Sequence, residues 1–334
     1  MSKTIPQTAV SPTATPKTWF ITGTSSGFGR ALTEELLSRG DRVAATVRNP
    51  DTLDELRSRY GRQLWVARLD VTDADAIRSV VRAAFAELGR IDVVVNNAGY
   101  GLAGAAEEVD DAQIERQIDT NLVGSIQVIR AALPLLREQG GGRVVQVASM
   151  GGQITFPGMS LYHATKWAIE GFVESVAQEV APFGVEFTIV EPGVARTNFG
   201  GGSMVAAEPM AVYDATPVGE FRRAYAAGLF PNPGDPLKMA LAIIDSVDRQ
   251  PAPRRLALGS DAYAMIRAAL VDRLAALDAQ RSIALSTDCD DFSPADAAAG
   301  DSIAANSTAD TASRENTATR DRAAARDERH SAHA

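Results

Sequence analysis

The chain has 334 residues and a formal net charge of −9, with 45% hydrophobic and 22% charged residues, ordinary values for a protein with a sizeable buried core. The acidic balance argues against nucleic acid as a partner, because nucleic-acid-binding surfaces are basic, and no apolar run reaches the roughly 18–20 residues of a membrane span. A single cysteine, Cys289, rules out an intrachain disulfide and suits a reducing, cytoplasmic compartment, and with three histidines it leaves little material for a Cys/His metal site.

Residues 1–16 are rich in Ser, Thr and Pro without an apolar h-region, and read as a disordered leader, not a secretory signal. Order is predicted to begin with a β-type run at residues 17–22, followed at once by Gly23-Thr24-Ser25-Ser26-Gly27-Phe28-Gly29. Leu32, Leu36 and Leu37 then recur at helical spacing until Gly40. Residues 42–47 and 64–69 read as the second and third strands. Asp73 can cap a helix whose apolar stripe is Ile77, Val80, Val81, Ala84, Phe85 and Leu88. Further strands are predicted at 91–95, 143–148 and 185–190, with a helix around Tyr162. Such alternation predicts an α/β chain, a parallel sheet with helices on both faces, forming a single domain over residues 17–285.

Between 198 and 236 the pattern is irregular. Gly200-Gly201-Gly202 precedes Met204, Met210, Tyr213, Phe221, Tyr225, Leu229 and Phe230, a glycine hinge and apolar segment that suit a mobile lid over a hydrophobic pocket. Pro236 opens a helix through Met239, Ile243 and Ile244, residues 256–258 read as a last strand, and 262–277 as a helix. Residues 286–334 turn to Asp, Ala, Ser, Thr and Arg and read as a disordered tail.

Two patterns carry chemistry. Gly23, Gly27 and Gly29 stand between a strand and a helix, where glycines permit a tight turn and the helix N-terminus offers free N–H groups to a pyrophosphate. After the second strand, where a carboxylate would bind a ribose 2′-hydroxyl and select NAD(H), the chain reads Val47-Arg48-Asn49. Arg48 can pair with a 2′-phosphate, with Ser25 or Ser26 adding a hydroxyl, so NADP(H) is the preferred cofactor and NAD(H) the alternative. The second pattern is Tyr162-His163-Ala164-Thr165-Lys166. Tyrosine and lysine four apart share a helix face, and the ammonium is expected to lower the phenol pKa toward neutrality. His163 lies about 100° around the helix from Tyr162 and is expected to be structural.

Together these residues resemble the short-chain dehydrogenase/reductase family over about residues 17–195. Thr22-Gly23-x-x-x-Gly27-x-Gly29 is similar to its cofactor turn, with Phe28 inside it. Asn96-Asn97-Ala98-Gly99 resembles the motif that supports the sheet and backs the adenosine, and Asp70-Val71 the pair at the adenine edge. Asn121, Ser149, Tyr162 and Lys166 fall in the order and spacing of the family's catalytic tetrad, although Ala148 stands where many members have a second serine. Pro192-Gly193-Val194-x-x-Thr197 resembles the stretch that binds the nicotinamide carboxamide.

The resemblance implies a doubly wound Rossmann fold and hydride transfer between nicotinamide and a carbonyl or secondary alcohol. Tyr162 would be the general acid/base, Lys166 would tune it and hold the nicotinamide ribose, Ser149 would hold the substrate oxygen, and Asn121 a relay water. The C-terminal part is loosely similar to the 17β-hydroxysteroid and retinol dehydrogenase branch, which points to a medium-sized apolar small-molecule substrate. It also implies a homo-oligomer, dimer or tetramer, through helices in 110–137 and 161–182. An NAD-linked alcohol dehydrogenase and a non-catalytic NADP(H)-sensing regulator are the alternatives.

Overall fold

Strand side chains alternate between the two faces of a sheet, so a strand buried on both faces is apolar throughout. The first strand, β1 (Thr18–Thr22), shows this directly: all five of its residues are buried. In the computed structural model, residues 15–197, 199 and 202–289 are described. After β1 come α1 (Gly27–Ser38), β2 (Arg42–Val47), α2 (Asp54–Tyr60), β3 (Leu64–Arg68) and α3 (Ala74–Leu88). Next are β4 (Val93–Asn96), a short β5 (Gly101–Ala103), α4 (Asp111–Ile118), a π-helical turn (Asp119–Val123) and α5 (Gly124–Glu138). Then follow β6 (Gly142–Val147), α6 (Ser160–Val180), β7 (Val185–Pro192), β8 (Met204–Ala206) and α7 (Pro217–Ala226). The described chain closes with α8 (Pro236–Val247), β9 (Arg255–Leu258), α9 (Ser260–Ala279) and α10 (Arg281–Leu285).

Seven strands form one parallel sheet in the order β3-β2-β1-β4-β6-β7-β9. The predicted α/β fold, doubly wound with helices on both faces, is what the chain adopts. Phe20, Ala44, Val94 and Val144 pack with Ile77, Val81 and Phe85 of α3, Val128 and Ile129 of α5, and Ile169 and Val173 of α6. The alternate residues Trp19, Ile21, Val43, Val95 and Val145 meet Leu32 and Leu36 of α1, Leu56 of α2, and Ile243 and Ile244 of α8. The order in which strands are added reverses between β1 and β4, and in sheets of this kind ligands bind at such a switch point, beyond the strand C-termini.

Local signals hold at the helix starts. Asp73 accepts from Ala76 N at 2.9 Å, and Asp235 caps α8 through Leu237 N and Lys238 N. The fourth strand runs from Val93 instead of the predicted 91; Ile91 is fully buried but precedes the ladder. The chain divides into two compact units, Met1–Val271 and Asp272–Ala334. The first holds the whole sheet, and the described part of the second is the end of α9 and α10. The expected leader and tail lie outside the described residues except for 15–16 and 286–289. Among the described residues no helix is long and apolar enough to cross a membrane.

Candidate active site

Parallel strands end on one edge of the sheet, and the loops that follow β1, β2, β3, β4, β6 and β7 there carry Gly23, Arg48, Asp70, Asn97, Ser149 and Gly193. The loop after β1 is fixed from both neighbouring strands. Gly23 N and Thr24 N donate to Thr46 O of β2 at 3.0 and 3.2 Å. On the other side, Thr22 Oγ1 accepts from Asn97 N at 2.9 Å and Ala98 N at 3.0 Å. The Asn97 amide donates back to Thr22 O at 2.8 Å and Gly23 O at 3.1 Å. A side chain at Gly29 would collide with Gly23 O and come within 2.6 Å of Asn97 Nδ2, so only glycine lets α1 approach this closely.

Ser26 caps α1 in an extended conformation without a side-chain hydrogen bond, and the first turn holds no acidic residue. The helix therefore presents its positive end and its first-turn N–H groups to whatever lies in front of it. Ser25 and Ser26 are exposed there, while the Phe28 ring packs against the core. A helix start of this kind suits a phosphate, and the residues present fit the pyrophosphate of a dinucleotide.

Arg48 is exposed at the end of β2. Asp70, after β3, accepts from Thr72 N at 3.0 Å and the Thr72 hydroxyl at 2.9 Å. Burial pushes Asp70 up, but these hydrogen bonds and the charges of Arg48 and Arg116 outweigh it and hold the carboxyl below its usual value. Val71 beside it is buried in the core.

Asn121 sits in the π-helical turn, a local widening that often marks functional sites. Its amide donates to Tyr100 O at 2.8 Å and accepts from Tyr100 N at 3.0 Å, with Thr165 Oγ1 at 3.4 Å. The side chain thus holds the segment after the Asn96-Asn97-Ala98-Gly99 motif. A Cβ on Gly99 would stand 3.2 Å from Asn121 Oδ1 and 3.9 Å from Lys166 Nζ, so the three residues converge.

Tyr162 and Lys166 share one face of α6 and are both 7% exposed. The Lys166 ammonium lies 5.7 Å from the centre of the phenol ring and donates to Val147 O at 3.2 Å. Ser149 stands close enough to the phenol to favour its ionised form, and its hydroxyl accepts from Gly151 N at 3.0 Å. The expected lowering of the phenol pKa is not what the structure shows. Burial pushes Tyr162 up to about 12, only partly opposed by Ser149. Burial also pulls Lys166 down to about 8, against the charge of Glu170. Desolvation penalises both charged forms, and it is the largest influence on each residue. His163 is structural as expected: its Nδ1 lies 2.9 Å from Gly151 O, and its Nε2 accepts from Phe156 N at 2.9 Å.

The stretch after β7 completes the edge. Gly193 N donates to Leu258 O at 2.8 Å and Val194 N to Asp261 Oδ2 at 2.7 Å. Pro192 ends β7, and Thr197 Oγ1 accepts from Phe199 N at 3.2 Å. A Cβ on Gly27 would stand 3.9 Å from the Thr197 Cβ, so this stretch faces the glycine cradle. The Phe199 ring lies 6.0 Å from the Tyr162 ring.

Within 198–236, β8 pairs with β5, and Phe221, Tyr225 and Phe230 cluster with ring centres 5.2–6.5 Å apart. Gly200 and Gly201 of the expected hinge lie outside the described residues. Sequence reasoning passed over Tyr100, Thr165 and Asp261. Asp261 is 67 positions from the backbone it holds, and no local pattern announces it.

The family model described as short chain dehydrogenase matches residues 17–204. Oxidoreductase BOA17 of Botryotinia fuckeliana is 40% identical over 247 residues, 74% of this chain and 90% of that protein. A 3-ketodihydrosphingosine reductase of Bacteroides thetaiotaomicron is 35% identical over 185 residues, 55% of this chain and 66% of that protein. The crystal structure of a short-chain dehydrogenase from Streptomyces avermitilis is 40% identical with a TM-score of 0.77, covering 83% of this chain and 100% of that one.

Proposed function

The chain belongs to the short-chain dehydrogenase family and is an NAD(P)-dependent oxidoreductase, and on that premise we propose that it reduces a medium-sized apolar ketone or aldehyde with NADPH. The observation that carries this reading is the buried Tyr162 phenol with the Lys166 ammonium 5.7 Å from its ring centre, on the same sheet edge as the start of α1, whose cap makes no side-chain hydrogen bond.

When bound, the nicotinamide supplies or accepts the hydride. Gly23, Gly27 and Gly29 with the α1 N-terminus would hold the pyrophosphate, and Arg48 with Ser25 and Ser26 would hold the 2′-phosphate. Asp70 and Val71 would border the adenine, Asn97, Ala98 and Gly99 would back the adenosine, and Pro192, Gly193, Val194 and Thr197 would hold the carboxamide. Ser149 holds the substrate oxygen and stabilises charge growing there. Tyr162 gives that oxygen its proton. A phenol held at about 12 is protonated across the physiological range and stands ready to donate. Lys166 would hold the ribose hydroxyls, and Asn121 would hold a water through which Tyr162 could be reprotonated.

Phe199, the Phe221–Tyr225–Phe230 cluster and Met204 suit an apolar substrate under a lid at 198–236. A relative named as a 3-ketodihydrosphingosine reductase agrees with a ketone. A cytoplasmic location belongs to this reading. So does assembly as a dimer or tetramer through 110–137 and 161–182, where Val123 and Trp167 are exposed.

Tyr162→Phe removes the transferable proton and is expected to cut turnover by about 10²–10⁴-fold while NADPH affinity, read by cofactor fluorescence, stays within a few-fold. Turnover retained in that variant on a panel of ketones and aldehydes would sink the assignment. Arg48→Ala is expected to weaken NADPH by roughly 10–100-fold, the worth of charge-assisted hydrogen bonds, and to leave NADH unchanged. Equal NADPH affinity in the variant would remove the 2′-phosphate assignment and favour an NAD-linked dehydrogenase.

A further inference from the structure

One helical turn beyond Lys166, on the same face of α6, stands Glu170. It is 2% exposed. Its Oε2 accepts from Arg255 at 2.6 Å and from the Gln153 amide at 2.5 Å. Its Oε1 is buried without a hydrogen-bond partner. That oxygen presses on Gly152, where any side chain would overlap it. Gly152 ends the Met150–Gly152 turn that follows Ser149. The carboxyl therefore touches both halves of the candidate site: the Ser149 turn through Gly152 and Gln153, and Lys166 through the helix.

Arg255 of β9 is shared. It also bonds Glu174 of α6 at 2.7 and 3.0 Å, and Glu191 of β7. Three carboxylates around one guanidinium leave an excess of negative charge, and the most deeply buried one, with an unpartnered oxygen, is where a proton best relieves it. Burial, aided by Glu191, raises Glu170 to about 7 despite Arg255 and Gln153. The charged groups facing Glu170 among the described residues are Lys166 and Glu174 of α6, Glu191 of β7 and Arg255 of β9. The 150–153 turn adds the Gln153 amide.

We propose that Glu170 is a positioning residue for the Tyr162–Lys166 pair, its carboxyl bracing the Ser149 turn and its negative charge keeping Lys166 in the ammonium form. Below neutrality Glu170 carries a proton and Lys166 is charged without help. As pH rises through neutrality, Glu170 ionises and begins to support the ammonium, in the range where burial alone would discharge it. The electrostatic part stands on the placement of the two side chains, and its link to turnover rests on the function proposed above.

The chain has four lysines, Lys3, Lys17, Lys166 and Lys238, so a lysine 13Cε NMR titration of the full-length protein can follow Lys166 singly, assigned by its loss in Lys166→Met. In the wild type, the Lys166 curve is expected to show an extra inflection near neutrality as Glu170 ionises. In Glu170→Gln that inflection vanishes and the ammonium fraction at pH 8.5 falls about three- to tenfold, as expected for a charge removed one helical turn away. A wild-type curve with no inflection near neutrality, or a Lys166 midpoint that Glu170→Gln leaves unmoved, overturns the proposal whether or not the protein turns over a carbonyl.

The pH profile of kcat/KM supplies the link to turnover. Wild type and Glu170→Gln are expected to run together below about pH 6.5 and to part above it, the variant losing its alkaline limb first. Profiles separated by one constant factor at every pH would make Glu170 merely structural and reject it as a positioning residue. No carbonyl turnover in the wild type would instead reject the proposed function, while the lysine titration still decides on Glu170.

Discussion

Tyr162 and Lys166 are buried together, and burial works on them in opposite directions. It holds the proton on the phenol and takes it from the ammonium. For Lys166 the sign of the stability effect follows from its lowering from 10.5 to about 8. Between those values the unfolded chain binds more protons than the folded one, so stability rises with pH across the window and the full cost of the buried charge is present below it. That displacement is worth roughly 3 kcal/mol. Lys166→Met removes the cost. The variant is expected to gain stability over the wild type most strongly near pH 7, and the gain should fade toward pH 10.5. Urea unfolding at a series of pH values measures it, and a gain independent of pH would show that the lysine is not held in this way. At this scale the sequence showed which side chains share a helix face but not the sign of the phenol's shift. Proximity argues for lowering, whereas depth of burial decides, and depth belongs to the folded chain.

Short segments around the site show what one element does for another. Met204–Ala206 becomes a strand only because Gly101–Ala103 lies alongside it, and three residues carry too little pattern to predict either. Glu108 ties the same region down. Its carboxylate accepts from Ala105 N at 2.7 Å, from Met210 N at 2.8 Å and from Arg222 of α7 at 2.6 Å. Burial pushes it up, yet these three partners outweigh burial and hold it below its usual value. A lowered carboxyl contributes stability above its unfolded pKa of 4.5 and loses it as pH falls through the folded value. The fastening is therefore complete at neutral pH. Glu108→Ala strands two backbone donors and is expected to cost about 1–3 kcal/mol. Limited proteolysis should then cut faster within 207–230, and an unchanged cleavage rate would show that Glu108 does not secure this segment. Arg222 and Glu108 lie 114 positions apart, so neither residue's neighbours in sequence point to the other.

Across the whole molecule the sheet sets the geometry. Its apolar strands admit helices on both faces, and all their C-terminal ends come to one edge. Phe20, fully buried beneath α3, α5 and α6, tests how far the core sustains this. Phe20→Ala is expected to cost about 3–5 kcal/mol through lost burial and the cavity left behind, read by chemical denaturation. A loss under 1 kcal/mol would mean that the face repacks and is not tightly fitted there. The alternation of strand and helix was legible because the burial of each strand shows in its own residues, as in Val93-Val94-Val95 or Val43-Ala44-Ala45.

By itself the sequence determined the fold class, the glycine cradle between β1 and α1, and the pairing of Tyr162 with Lys166. Each of these depends on residues within a turn or two of one another, so spacing is sufficient to read them. Only the tertiary structure decided that Asn121 holds Tyr100, that Asp261 holds Val194, and that Glu170 gathers Arg255 and the Ser149 turn around Lys166. It also decided that burial pushes the phenol up, not down. Those outcomes depend on which distant groups are brought together and on how much water is excluded, quantities that exist only once the chain has closed on itself.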